Sequence, residues 1–360
     1  MTKITTVLLG AGALCLLAPV GASAQTFGGM PTITPQKRAP AAAAKEDEKP
    51  SYVVVDQGGR EGYTSIQAAV DAVAPGGVVV VMPGLYEENI ALKKAVAIQG
   101  DRGPGAGVRI VPRDAGAPCL SYAPENPQDH AMIANVQFYP VGSAGVPAAP
   151  RELTVAGVRN AAAATPCIEA RGGVFTLTES TVDGAGRHAG TLVSIVGGTA
   201  LLEKNTISGG RRGVSVDQSH PLWDRALLID NVVSGNAREG VHLAGVSSML
   251  ATGNLINANG AGLVYNGHGD ATVVGNKILD NASHGVLLDH QGHQVLLRLN
   301  QIWSNDGDGV KVFASAGLIE DNDIDGNAGF EINTLEHTGN VPQYYNDTEA
   351  NTRGGKKRRR

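Results

Sequence analysis

From residue 205 onward the chain repeats itself with a short, slightly slipping period, and this repeat excludes most folds before any other feature is weighed. An Asn stands two residues before a β-branched residue at Asn205-Thr206-Ile207, Asn231-Val232-Val233, Asn254-Leu255-Ile256, Asn276-Lys277-Ile278, Asn300-Gln301-Ile302 and Asn322-Asp323-Ile324. The steps between those asparagines are 26, 23, 22, 24 and 22 residues. A second mark is a Gly opening a short alternating strand, as in Gly213-Val214-Ser215-Val216, Gly240-Val241-His242-Leu243, Gly285-Val286-Leu287-Leu288 and Gly309-Val310-Lys311-Val312. Such a unit is too short for a helix pair and carries neither a leucine-rich nor a propeller pattern. Short apolar strands joined by Gly, Asn and Asp turns fit one coil of a parallel β-helix, each coil stacked on the next at about 4.8 Å. The alternation sends Val214 and Val216 inward and Ser215 outward, and the repeated Asn is expected to form a buried ladder of amides bonded from coil to coil.

Weaker coils are expected around Val136, Val158 and Val182, about nine in all with two or so more near residues 78–111, and loops are expected at 124–130 and 141–150. The open N-terminal end of such a solenoid must be covered. Thr64-Ser65-Ile66-Gln67 reads as a capping box with Thr64 at the N-cap and Gln67 at N3. Ile66, Ala69, Val70 and Val73 then fall on one face of a helix near residues 65–74, which Pro75-Gly76-Gly77 stops. Cys119 and Cys167 look equivalent within their coils. With the Val158 coil between them their Cα atoms stand nearly 10 Å apart, too far for a disulfide, and two buried thiols are expected. If residues 124–150 form a loop instead, the two cysteines are neighbours that an oxidising compartment would link.

The termini stand outside this pattern. Lys3, an apolar run from Val7 to Val20 and Ala22-Ser23-Ala24 before Gln25 read as a secretory signal over residues 1–24, which predicts a periplasmic or secreted protein. Residues 25–50 read as a disordered linker, 51–335 as the β-helix domain, and 336–360 as a tail with six basic residues in its last eight. No run is long enough to span a membrane, and a net charge of −5 argues against a nucleic-acid partner. A monomer is expected.

Residues 63–72, Tyr-Thr-Ser-Ile-Gln-Ala-Ala-Val-Asp-Ala, followed by Gly76-Gly77-Val78-Val79-Val80-Val81-Met82-Pro83-Gly84-Leu85-Tyr86, resemble the entry module of right-handed parallel β-helix proteins of the pectin-lyase-like superfamily, as in pectin methylesterases. The Asn and Gly repeats are similar to the carbohydrate-binding and sugar-hydrolase repeats of that superfamily, and the resemblance spans residues 51 to about 335. It implies an all-β solenoid. The catalytic segments of pectin methylesterases, pectate lyases and polygalacturonases are missing, so no catalytic residue transfers from them. Asp217-Gln218-Ser219-His220, after the strand Gly213–Val216, is similar to the Asp-Pro-His-Asp motif of mannuronan C5-epimerases in its first Asp and a displaced His.

The outward positions after each repeated Gly collect the candidate chemistry on one long face: Asp217, His220, His242, His268, Asp289, His290 and Lys311, with Ser215, Asn266, Asp270, His293, Glu331 and Asn333 beside them. A lyase or epimerase acting on a uronate polymer needs a carboxylate neutraliser, a base for C5 and an acid. His220, His242 and His290 suit proton transfer, and Lys311 and Arg298 suit neutralisation. The partner expected is an acidic polysaccharide or cell-envelope polymer. A non-catalytic binding or structural solenoid remains the alternative, since outward positions are polar wherever water covers them, and aromatics at 4% argue against a sugar-stacking groove. No cofactor is expected. The segment Asp321-Asn322-Asp323-Ile324-Asp325-Gly326 starts like a calcium loop, but position 332 is Ile where the loop needs Glu. His268, Asp270, Asp289, His290 and His293 match no standard zinc spacing.

Overall fold

Alternating apolar residues, each facing the one in the coil above, build the protein from end to end. In the computed structural model the inward residues Val53, Val79, Ile98, Ile133, Leu177, Leu202, Leu228, Ala251, Val273, Leu297 and Ile319 pair in register from strand to strand, without a gap. All are buried. The structure describes residues 49–60, 62–102, 107–140, 165–218, 224–245, 248–334, 343–344, 346–348 and 352–353. The signal segment, most of the linker, Val158, the 141–150 loop, His220 and the last seven basic-tail residues lie outside them.

Every strand pairing is parallel, and each coil contributes one strand to each of three sheets. Sheet 1 contains the ladder just named. Sheet 2 runs from Gly84–Glu87 through Val232–Ser234 and Leu255–Asn257 to Asp347–Thr348. Sheet 3 runs from Ile90–Leu92 through Glu239–Gly245 and Ala261–Tyr265 to Thr352–Arg353. Four long strands, Thr181–Val196, Thr206–Gln218, Val286–Arg298 and Val310–Glu320, bend across a corner and serve two sheets each. The architecture is a β-solenoid of about ten turns.

The corner between sheets 1 and 2 explains the repeated Asn. The residue before it takes a left-handed backbone, as at Lys204, Asp230, Gly253, Gly275, Leu299 and Asp321, which turns the chain sharply and aims the next side chain inward. The Asn Oδ1 then accepts the backbone N–H and the Nδ2–H of the Asn one coil earlier. Asn254 to Asn276 does so at 3.0 and 2.9 Å, and Asn276 to Asn300 at 3.0 and 3.0 Å. A second ladder, unread in the sequence, occupies the corner between sheets 2 and 3: Asn236, Asn259, Asn281, Asn305 and Asn327. Each stands five residues after a member of the first ladder.

A helix over Ile66–Ala72 covers the N-terminal end with Ile66, Ala69 and Val70 buried, as the periodicity predicts. Its cap differs from the expected box. Ser65, not Thr64, is the N-cap and accepts from Ala68 N–H. Gln67 reaches across to bond Ala91 N–H rather than folding back. The carboxylate of Glu88 does the capping from the turn between Gly84–Glu87 and Ile90–Leu92, accepting from Ser65 Oγ and from the N–H groups of Ile66 and Gln67. A tertiary contact here replaces the local one.

The expected coil between the two cysteines is absent from the stack. Leu120 pairs directly with Ile168, and Phe138 with Val182. The coils of Leu120 and Ile168 therefore touch, and Cys119 and Cys167 are neighbours. The last coil also sits two residues out of the expected register. Ile332 pairs with Val310, so Glu331 takes the inward place of the repeated Gly and is buried instead of facing outward. Its carboxylate accepts from Asn327 Nδ2, the last member named of the second ladder.

Candidate functional site on sheet 3

Mid-strand outward residues of sheet 3 form one row: Ser121, Glu169, Ser194, Ser215, His242, Val264, Leu287, Lys311 and Asn333. Of the predicted site residues, only His242 and Lys311 stand in it. Three rungs, about 14 Å at ordinary strand spacing, separate their coils, and the apolar Val264 and Leu287 lie between. Asp217 lies exposed near the end of the strand Thr206–Gln218, and Asp289 lies exposed within the strand Val286–Arg298. His268 is exposed in the loop after Ala261–Tyr265. The backbone of His290 continues the strand Val286–Arg298 around the corner. Arg298 is committed elsewhere, to Asp321 and Glu320 at the sheet 1 corner.

What gathers around His242 is a second row, one the candidate list did not single out: the residue immediately before each repeated Gly. Arg212 and Glu239 occupy it on adjacent coils and bond at 2.6 Å. Arg238 Nη2 lies 3.5 Å from the other Glu239 oxygen. Ser215 Oγ is 3.5 Å from His242 Nδ1. Glu239 and His242 are each only 8% exposed. Burial by itself would raise the Glu239 carboxyl, but the hydrogen bond and charge of Arg212, with the charge of Arg238, outweigh it and hold the group below the usual carboxylate range. Burial pushes the His242 imidazole below its ordinary value and Arg212 pushes it the same way, against the weaker opposing pull of Glu239 and Asp217. A neutral imidazole thus sits beside two guanidinium groups. The backbone carbonyl of Arg211 accepts Arg238 N–H from the next coil, and the Arg211 Nε is buried without a hydrogen-bond partner.

Farther along the same row stand His284 and Asp308. Asp308 N–H donates to His284 Nδ1 at 2.9 Å, and the Asp308 carboxylate accepts from Phe330 N–H and Asn333 Nδ2. Lys311 Nζ lies 4.3 Å from the centre of the Phe313 ring. Burial lowers His284, Asp308 raises it and Lys311 lowers it. These residues are knitted into the turn, and the His284 side chain is less buried than that of His242. Among the described residues no group of three or more His, Cys, Asp or Glu is placed to hold a metal ion. In the segment resembling a calcium loop, Asn322 points inward as a ladder member.

Two comparisons bear on this geometry. The family profile "Right handed beta helix region" matches residues 167–347. Among solved structures, the Azotobacter vinelandii mannuronan C-5 epimerase AlgE4 A-module shares 18% identity at a TM-score of 0.56, covering 79% of this chain and 90% of that one. ORF18 of Geobacillus virus E2 shares 12% at 0.51, covering 80% and 58%. A variant of the periplasmic alginate epimerase AlgG shares 12% at 0.50, covering 82% and 85%. No curated protein matched the chain. Identities this low speak for the fold alone. Among the described residues no helix is long and apolar enough to cross a membrane. With half of its length in that profile and parallel coils throughout, the chain belongs to the right-handed β-helix family, consistent with the pectin-lyase-like superfamily.

Proposed function

We propose that the protein is exported and that the sheet 3 face around His242 binds an anionic, uronate-bearing polysaccharide and moves the proton at C5 of one sugar. The observation that carries this is the buried, neutral imidazole of His242 beside the guanidinium groups of Arg212 and Arg238. A C5–H next to a carboxylate becomes acidic only when that carboxylate's charge is neutralised. Arg238 is the group for that task, since its contact with Glu239 is the looser at 3.5 Å and Arg212 is held by Glu239 at 2.6 Å. Neutral His242 accepts the proton. Return of a proton to the opposite face gives epimerisation, and loss of the C4 oxygen gives β-elimination. The neighbours named above as alginate or mannuronan epimerases show that this fold accommodates such chemistry.

A second reading has its own support. Glu239 already balances Arg212 and Arg238, so the cluster is stable without a ligand, as a binding or purely structural face requires. Incubating the full chain with alginate and with pectate separates the two, following ultraviolet absorbance for unsaturated products and proton NMR for epimerised ones. The proposal expects product from one polymer, with His242→Gln lowering the rate by about 100-fold or more at an unchanged melting temperature. The rate should persist below the ordinary histidine titration range and fall only as the depressed imidazole protonates. Binding without product leaves the non-catalytic reading. Product formation that survives His242→Gln places the chemistry elsewhere.

A further inference from the structure

We propose that Cys119 and Cys167 are joined by a disulfide that staples two successive coils. This is independent of what sheet 3 binds. Leu120 and Ile168 are direct partners in sheet 3, so the cysteines before them stand at the same place on adjacent rungs. The backbone is fixed on both sides: Ile90 N–H bonds Cys119 O, Leu120 N–H bonds Cys167 O, and Cys167 N–H bonds Thr191 O. Adjacent rungs put Cα atoms about 4.8 Å apart, inside the ~4.4–6.8 Å range of disulfides. The two Sγ atoms lie 2.7 Å apart as thiols, each side chain 1% exposed. Closing the bond needs no change of backbone.

The bond forms when each thiol gives up a proton and one electron. The electron pair reduces the disulfide of an oxidant, oxidised glutathione or a disulfide-bearing oxidoreductase, to two thiols. Exchange proceeds through a thiolate, and burial pushes the Cys167 thiol well above its ordinary value. An oxidant has no path to the folded core. Oxidation therefore belongs to folding, before these coils close, and the finished bond is shielded from reductants. The loop it closes spans 48 positions, so the bond ties two touching coils across a long stretch of sequence.

The test uses the full chain, expressed with its own N-terminal segment in an exporting bacterial host, alkylated under denaturing conditions and mapped by peptide mass spectrometry. The proposal expects the Cys119 and Cys167 peptides to appear as one cross-linked pair, each taking label only after reduction. Cys15, in the leader, is mapped separately. The same chain purified reduced, unfolded and refolded in a glutathione buffer should form the same pair as the buffer is made oxidising. Relative to that oxidised form, the Cys119→Ala/Cys167→Ala variant should melt about 5–10 °C lower. Free, labelled thiols at both positions after oxidative refolding overturn the proposal. Free thiols only in the exported sample overturn it for the natural route of folding.

Discussion

The two halves of the solenoid keep the same coil by different means. Of the fully buried aromatic rings among the described residues, Tyr86, Tyr122, Phe138 and Phe175 lie before residue 180 and Tyr265 beyond it. Tyr86 and Tyr122 fit because their hydroxyls reach Met82 O and Asp129 O. Beyond residue 200 the apolar core is Val, Ile, Leu and Ala apart from Tyr265 and Met249, and two amide ladders hold the corners. A ladder demands the same residue at the same corner of every coil, because each amide completes its neighbour. Aromatic packing demands only that volumes fit, so it leaves no period. The family profile accordingly begins at residue 167.

The largest effect expected from this contrast is on a ladder. Asn276→Leu removes four hydrogen bonds: it takes the acceptor from Asn254 N–H and one bond each from Asn254 Nδ2, Ala251 O and Asn300 Oδ1. At ~0.5–1.5 kcal/mol for each bond lost, with the buried Asn254 N–H left unpaired, the loss should be about 4 kcal/mol in urea unfolding, and Asn281→Leu in the second ladder should match it. An unchanged midpoint for either would mean that the amides do not hold the corners. In the N-terminal half, Phe175→Ala removes a ring stacked 5.9 Å from Tyr122 and should cost about 3–4 kcal/mol through the cavity it leaves. If it outweighs Asn276→Leu, packing rather than the ladder dominates throughout.

A smaller effect probes the cap. Glu88→Ala withdraws the acceptor from Ser65 Oγ, Ile66 N–H and Gln67 N–H and should lower stability by about 1–2 kcal/mol. Helical signal should be lost before the β signal on heating. No change would return the capping role to Ser65 alone. The smallest effect is in pH. Burial depresses the imidazoles of His188, His242 and His284, so below about pH 6.5, the ordinary histidine value, the unfolded chain binds more protons than the folded one. Stability present above that pH is then lost as pH falls toward the folded-state values. Thermal midpoints measured across this window should decline, and His242→Gln should flatten part of the slope. A midpoint rising on acidification contradicts the burial of these rings.

Much of the fold was legible because its strongest constraint is local and repeated. The spacing of Asn205, Asn231, Asn254, Asn276, Asn300 and Asn322, the alternation at Val214-Ser215-Val216 and the apolar stripe Ile66, Ala69, Val70 and Val73 each follow from short-range geometry. The second ladder repeats that spacing five residues on, at Asn236, Asn259, Asn281, Asn305 and Asn327, and follows from the same short-range geometry. Where the period broke, the sequence offered no ruler. Nothing local distinguishes a coil from an excursion between residues 124 and 166, and only the pairing of Leu120 with Ile168 made the cysteines neighbours. The candidate site divides the same way. Outward alternation found His242 and Lys311, but placing Arg212 and Glu239 against His242 depended on how far each coil slips relative to the next. Residue spacing sets which way a side chain points. Which side chains meet across coils is set by hydrogen-bond register between strands some two dozen residues apart, and that is decided only when the stack closes.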